Sequence, residues 1–410
     1  MVTLLEWATL FGSLLTVYVS FVYLVQLMYN RSNLLRVPRL PKKLPKVSII
    51  VPAFNEERTI QATLESLLNI DYPRKLLQII AVNDGSTDKT LAKMRKFGKK
   101  IIVLTKKNGG KASALNAGIK VARGEILATT DADSYVEKNA LLNTVGYFGK
   151  NKVAAVTTSI KIAQPKSFVQ KAQAIEYLFN IIYRKVFAIM DSIFVVPGPF
   201  SLYKRSVLDK IGGFEEHNIT EDMEIALRMQ DNGYRIENCV PAYTYTHAPK
   251  TLRQLFLQRV RWYRGFIINM RRYRHMLLNP RYGDMGLFTL PTNIVLVAFL
   301  FIFISAMLYS GLQLVTTQLH VTSILGYIPL QFNLLNPILY TSLFTALWVL
   351  ATCILIVLTY EGYKLGSEKF KLSLVPVFFA TIFVYIFFIA FTWLESIRKE
   401  LTGAELKWER

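Results

Sequence analysis

From Met285 to Tyr360 the chain carries no Asp, Glu, Lys or Arg. A run of that length reads as membrane-spanning, because one helix of about 20 apolar residues crosses a hydrocarbon core about 30 Å thick. Two spans fit inside it, roughly Leu287–Leu308 and Pro337–Thr359, separated by the more polar stretch Thr316–Asn336. Trp7–Tyr29 is another uncharged run, and Leu372–Leu394 is a fourth. The expected layout is one span before and three spans after a polar middle of about 255 residues. A cleaved signal peptide fits the first run less well, since the run is long and no small-residue cleavage site follows it.

Charge orients these spans. The chain has 49 Lys and Arg against 28 Asp and Glu, a net +21, with 52% apolar residues. That apolar content excludes a disordered chain. Two cysteines, Cys239 and Cys353, exclude a disulfide scaffold, the second lying inside an apolar run. Arg31, Arg36, Arg39, Lys42, Lys43 and Lys46 follow the first span with no acid among them, whereas the loop between the second and third spans has no Lys or Arg. The middle is therefore expected in the cytoplasm, the termini outside, and the protein in the cell membrane as a multi-pass chain. Lys364, Lys369 and Lys371 agree with this; Arg398, Lys399, Lys407 and Arg410 of the tail pull the other way. The expected divisions are a span in 1–30, a cytoplasmic domain over 31–249, interfacial helices over 250–284, three spans over 285–397 and a tail over 398–410.

The polar middle alternates short apolar strands with helical segments. Strands are expected at Val47–Pro52, Leu77–Val82, Ile101–Thr105 and Ile126–Thr130, and helices at Glu57–Leu68, Thr87–Phe97 and Lys111–Arg123. This predicts an α/β domain with parallel strands in a doubly wound sheet, functional loops lying at the strands' carboxyl ends. Asn55 and Glu56, Asn83 and Asp84, then Asp131 and Asp133 fall there. No Gly-x-Gly-x-x-Gly follows the first strand, so a dehydrogenase-type dinucleotide site is unsupported.

Each polar signal has a bland reading and a chemical one. Asp131-Ala132-Asp133 is either a pair of solvated loop acids or, with both carboxylates on one side of an extended segment, a site for a hard divalent cation bridging to phosphate. Asp84 lies in a turn-forming Asp-Gly, yet an acid at a sheet's carboxyl edge can also accept from a ribose or base. Lys111 opens a helix after Asn108-Gly109-Gly110, where a phosphate would meet its ammonium and free backbone amides; a solvated lysine is the plain alternative. Glu221 and Asp222 sit in the first turn of a helix running to Gln230, where acids stabilise the dipole; a carboxylate there could also take a proton from an attacking hydroxyl.

Lys250 to Arg281 is basic, aromatic and free of acids. Nucleic-acid binding is one reading, but a stretch just before a membrane span fits an interfacial helix on anionic membrane lipid better, with no nucleic acid as partner. Helical spacing puts Gln258, Arg261 and Trp262 on one face. Upstream, Phe168, Ala172, Ile175, Phe179, Ile182, Val186 and Ile189 form a stripe for core packing or for the membrane surface.

VPAFNEE at 51–57, VNDGSTD at 82–88, GGKASALNAG at 109–118, TTDADS at 129–134, TED at 220–222 and QRVRW at 258–262 occur in an order that resembles the processive membrane glycosyltransferases of family 2, the cellulose, chitin, hyaluronan and poly-N-acetylglucosamine synthases. The resemblance implies a GT-A-like nucleotide-sugar domain inserted between transmembrane helices. It assigns Glu56, Asp84, Lys111 and Asp131 to the nucleotide-sugar, Asp131 and Asp133 to Mg²⁺ or Mn²⁺, Asp222 to the general base with Glu221 beside it, and Gln258, Arg261 and Trp262 to the diphosphate and the acceptor. It further implies an inverting, metal-dependent enzyme that uses a UDP-sugar, with UDP-N-acetylglucosamine the best guess, to extend a β-linked polysaccharide, with an accessory export protein as a possible partner. Val196–Tyr203 occupies the place of an acceptor-side glycine motif, but two prolines flank its glycine. No cellulose-type gating loop follows the last motif, and four spans are few for a hyaluronan synthase, both pointing to the poly-N-acetylglucosamine type. A single-transfer enzyme acting on a membrane lipid is the alternative; a transporter with a nucleotide-binding domain is a further one, weakened by spans without ionisable groups or inverted repeats.

Overall fold

The computed structural model describes residues 4–327, 343–369 and 372–404. Helix α1 (Leu4–Tyr29) precedes β1 (Val47–Ala53), α2 (Ile60–Leu68), β2 (Leu77–Asp84), α3 (Thr90–Arg95), β3 (Ile102–Lys106), α4 (Lys111–Val121) and β4 (Ile126–Thr129). β5 (Ser134–Val136), α5 (Ala140–Val145), β6 (Val153–Ile162), α6 (Phe168–Ile189), β7 (Ser201–Lys204), α7 (Arg205–Ile211), α8 (Glu221–Asp231), β8 (Arg235–Thr246) and α9 (Leu252–Arg272) complete the middle.

The first four strands pair in parallel as expected, because each is joined to the next through a helix; β1 and β4 are apolar runs buried on both faces, while β3 is the partly exposed edge strand. The full sheet is mixed, in the order β3-β2-β1-β4-β7-β6-β8-β5, the later strands adding antiparallel pairs to the parallel ones expected. β7 lies antiparallel between β4 and β6, β6 and β8 are parallel, and β5 is antiparallel to β8. One consequence governs the site: the carboxyl ends of β1, β2, β4 and β8 and the amino end of β7 share one edge.

Helices α6 and α9 each begin with a capping box, Ser167 with Gln170 and Thr251 with Gln254, so both start where the sequence sets them. The α6 stripe resolves as packing: Ile182 and Val186 are buried in a cluster with Val19, Tyr23 and Leu27 of α1. After a π-helical turn at Met285–Thr289 come α10 (Leu290–Leu325), α11 (Leu343–Leu365), α12 (Val375–Phe383) and α13 (Tyr385–Leu401).

Trp7–Tyr29 and Met285–Leu325 are long and apolar enough to cross a membrane, and α12 with α13 form a third candidate bent by about 40°. α10 continues through Thr316, where a connecting loop was expected, because no glycine or proline intervenes between Gly311 and its αL cap Gly326. α11 covers most of the expected third span; its expected start at 337–342, the loop at 328–336 and the tail from 405 lie outside the described residues. The expected last span is broken at Val384, and α13 turns onto α9, where Trp393 stacks on Tyr263 with centroids 4.3 Å apart.

Candidate active site

Asp131 and Asp133 follow β4 in a tight turn, Ser134 N–H donating to the Asp131 carbonyl at 3.1 Å, and Thr63 of α2 donates to the Ala132 carbonyl at 2.9 Å. The turn is thus fixed by backbone bonds, leaving both carboxylates to face the sheet edge. Burial, then Asp131 and Glu56, push the Asp133 carboxyl up to about 7, even with Lys111 and the Ser134 hydroxyl favouring the anion. Hard oxygen donors crowded together in this way suit a divalent cation. Among the described residues no group of three or more His, Cys, Asp or Glu forms a metal cage, so a bound ion would complete its shell with phosphate oxygens, as Mg²⁺ commonly does.

Lys111, the first residue of α4, joins two parts of the site. Its ammonium lies 2.6 Å from Asp131 and 3.1 Å from Glu221, the first residue of α8. Burial opposes its charge, yet Asp131, Glu221 and Asp222 together hold it protonated well above its ordinary range. A Cβ on Gly198, in the loop before β7, would fall 2.6 Å from the Asp131 carboxylate oxygens and against the Lys111 ammonium. Only glycine lets that loop close over the ion pair.

Asp222 sits in the first turn of α8, its Oδ1 accepting from the Met223 N–H at 2.9 Å. Burial and then Glu221 push its carboxyl up to about 6, while Lys111 and Arg261 favour the anion. A base with a pKa just below neutrality is mostly ionised yet still accepts a proton well. The helix is braced from α9: Gly265 leaves no room for a side chain beside Thr220, and Asn269 donates to the Thr220 hydroxyl at 3.0 Å.

Asp84 serves the loop around it. Its carboxylate accepts from the Gly110 N–H at 2.8 Å and the Gly109 N–H at 3.1 Å and pairs with Lys106 at 2.8 Å. It therefore holds the glycine turn that presents Lys111. Glu56 accepts from the Thr59 hydroxyl at 2.8 Å and stands close enough to Asp133 to raise its pKa.

A cavity of about 480 Å³ adjoins part of this set and is not lined by Glu56, Asp84 or Glu221. Lys111, Asp131, Asp133 and Asp222 line one end; Gln258 and Trp262 of α9 line it as well. Arg261, expected on the same face, instead donates to the Ile219 carbonyl at 3.1 Å, three residues before Asp222. Its place at the wall is taken by Arg259, which is 1% exposed, lies 4.2 Å from the Trp262 ring centroid and pairs with Glu176 of α6 at 2.7 Å. Among the described residues the buried Gln258 carbonyl oxygen and one Arg259 nitrogen have no hydrogen-bond partner. Arg184 of α6 also reaches the cavity, donating to the Thr158 carbonyl at 3.2 Å, and burial pulls its guanidinium down to about 10. Sequence reasoning missed Glu176, Arg184, Arg259 and the steric role of Gly198. The available signal was charge inside the apolar pattern of α6. The far wall includes Asn293 and Val297 of α10 and Trp393 of α13.

Residues 48–212 match the family described as glycosyl transferase family 2. That match covers about two fifths of the chain, from β1 to α7. A probable glycosyltransferase of Bacillus subtilis is 27% identical over 90% of this chain and 86% of its own length. The poly-β-1,6-N-acetyl-D-glucosamine synthase of Staphylococcus epidermidis is 33% identical over 60% of each chain. A β-monoglucosyldiacylglycerol synthase of a Nostoc species is 33% identical over 62% of this chain and 56% of its own length. The match thus spans less than two thirds of either synthase. A mannosyltransferase of Pyrobaculum calidifontis, solved with GDP-mannose and Mn²⁺, superposes with a TM-score of 0.61 at 20% identity over 97% of this chain and all of that one, a likeness of fold. The matched segment thus takes in β1 to β7 of the mixed sheet, while β8, α8 and α9, with Asp222 and Trp262, follow it.

Proposed function

We propose that the chain is a membrane-embedded inverting glycosyltransferase that moves a sugar from a UDP-sugar, UDP-N-acetylglucosamine for preference, to the end of a growing β-linked polysaccharide and passes the product across the cell membrane. The observation that carries this is the continuity of one cavity from Asp131, Asp133 and Asp222 to Asn293 and Val297 of α10, a helix long and apolar enough to cross a membrane. Nucleotide-sugar chemistry at one end and a membrane helix at the other suit an acceptor that enters or leaves through lipid. The basic residues after α1 support a cytoplasmic catalytic domain.

In this reading Lys111 and the turn held by Asp84 take the diphosphate, and Asp131 and Asp133 would hold Mg²⁺ or Mn²⁺, which would supply positive charge against the leaving diphosphate. Asp222 takes the proton of the acceptor hydroxyl. The freed oxygen bonds to the anomeric carbon as the bond from that carbon to the diphosphate breaks on the opposite face, so an α-linked donor gives a β-linkage. Glu221 keeps Lys111 in place, and Gln258, Trp262 and Arg259 seat the acceptor sugar. Transfer of one sugar to a membrane lipid is the second reading, favoured by the Nostoc relative and by the same helix-lined wall. Purified protein in nanodiscs, given each radiolabelled UDP-sugar with Mg²⁺ or Mn²⁺, distinguishes them by product size. A long polymer supports the first reading, a single-sugar lipid the second, and no transfer from any UDP-sugar overturns both.

A further inference from the structure

A second cavity, of about 430 Å³, lies apart from the catalytic one, between the segment that follows α1, the carboxyl half of α6 and the start of β8. Four cations line it, Arg36, Lys150, Lys185 and Arg235, against one acid, Glu237. Two of the four are neutralised: Lys150 pairs with Glu237 at 2.8 Å and Arg235 with Asp191 at 2.7 Å. Arg36 and Lys185 form no ion pair among the described residues. Lys185 is only 7% exposed, and among the described residues its ammonium donates to a single acceptor, the Asn238 carbonyl, at 3.4 Å. Burial pulls that ammonium below its ordinary range. A buried ammonium with unused donors at the wall of a cavity lined by further cations is stable chiefly when an anion completes its shell.

The position of the cavity selects the anion. It begins at Asn30, directly after the apolar helix α1, whose last turns leave Phe21, Val25, Met28 and Tyr29 exposed at spacings of four, three and one. An apolar strip ending at a cationic cavity matches a molecule with acyl chains and a phosphate head. We infer that this cavity binds the headgroup phosphate of an anionic membrane phospholipid, held by Arg36 and Lys185, with the acyl chains along the exposed face of α1. The inference rests on reading α1 as a membrane span and is independent of the sugar chemistry, since neither cation touches the catalytic cavity.

The test needs no donor sugar. Full-length protein in neutral detergent is titrated with phosphatidylglycerol, with phosphatidylcholine and with inorganic phosphate, and bound lipid is counted by native mass spectrometry. Expected are saturable binding of phosphatidylglycerol, at least tenfold preference over phosphatidylcholine, and loss of at least fivefold in affinity in Arg36→Gln and Lys185→Gln. Lys99→Gln, an exposed lysine away from this cavity, should bind as the wild type does. Arg36 is exposed, so its variant remains informative if Lys185→Gln fails to fold. Equal binding of the two lipids, or unchanged binding in Arg36→Gln, overturns the inference. Competition by millimolar inorganic phosphate overturns the lipid assignment and leaves a soluble-anion site.

Discussion

The guanidinium of Arg259 lies over Trp262, 4.2 Å from its ring centroid, and Glu176 holds the other side of that arginine at 2.7 Å. A cation stacked on an indole and desolvated is worth about 2 kcal/mol. The pair therefore fixes Trp262 at the cavity wall before any substrate arrives.

If, as proposed, the ring of Trp262 meets the acceptor sugar of a growing polymer and not the nucleotide, Trp262→Ala should shorten or abolish the polymer while UDP affinity stays within about twofold. Arg261→Lys should lower turnover by about tenfold, since a lysine lacks the planar fork that reaches the Ile219 carbonyl beside the base. Product length and UDP affinity measured for both in the same nanodiscs decide it. Wild-type chain length in Trp262→Ala would leave α9 as a membrane anchor only.

Asp222→Asn keeps the side-chain shape and removes proton acceptance, so turnover should drop by about 10²-fold or more with little change in donor affinity. Its carboxyl is raised to about 6, and only the anion can accept a proton. The rate of the wild-type enzyme should therefore rise with pH through about 6 and fall as the medium is acidified below it. An Asp222→Asn variant that loses UDP affinity yet keeps its maximal rate sinks the assignment.

Asp133→Ala should abolish turnover in protein that still folds and inserts, as should EDTA, with Mg²⁺ or Mn²⁺ restoring the wild type only. Full activity in EDTA with no bound metal detectable by elemental analysis would falsify the cation site.

Gly198→Ala forces a methyl group onto the Lys111–Asp131 pair. Overpacking of this kind costs about 1–3 kcal/mol, so donor affinity should fall by about tenfold while thermal stability changes by only a few degrees. Isothermal titration with UDP reads this directly; unchanged affinity means that the loop moves aside.

The first half of the sheet and its acids were legible because parallel buried strands read as apolar runs and their functional residues fall at the run ends. Asp131 and Asp133 were found in that way, Lys111 and Asp222 from their places at helix starts, and all four line one cavity. β5 and β7 were not legible: three- and four-residue strands carry too few alternations to show a period. Arg259 and Arg184 escaped because their roles depend on which face α9 and α6 turn inward, and that is set by packing against α13 and α1. The bend at Val384 has no glycine or proline to announce it.

Because β7 enters the sheet against the direction of its neighbours, the loop ahead of it reaches the same rim as the loops behind β1, β2 and β4. The residues proposed as donor grip, base and acceptor seat thus hang from one side of the scaffold, and none of them lies on the other. Such a layout is modular: lineages can trade rim loops to change the sugar handled without renegotiating the strand register beneath, and an engineer can graft reporters or affinity handles at the opposite rim with the chemistry left undisturbed.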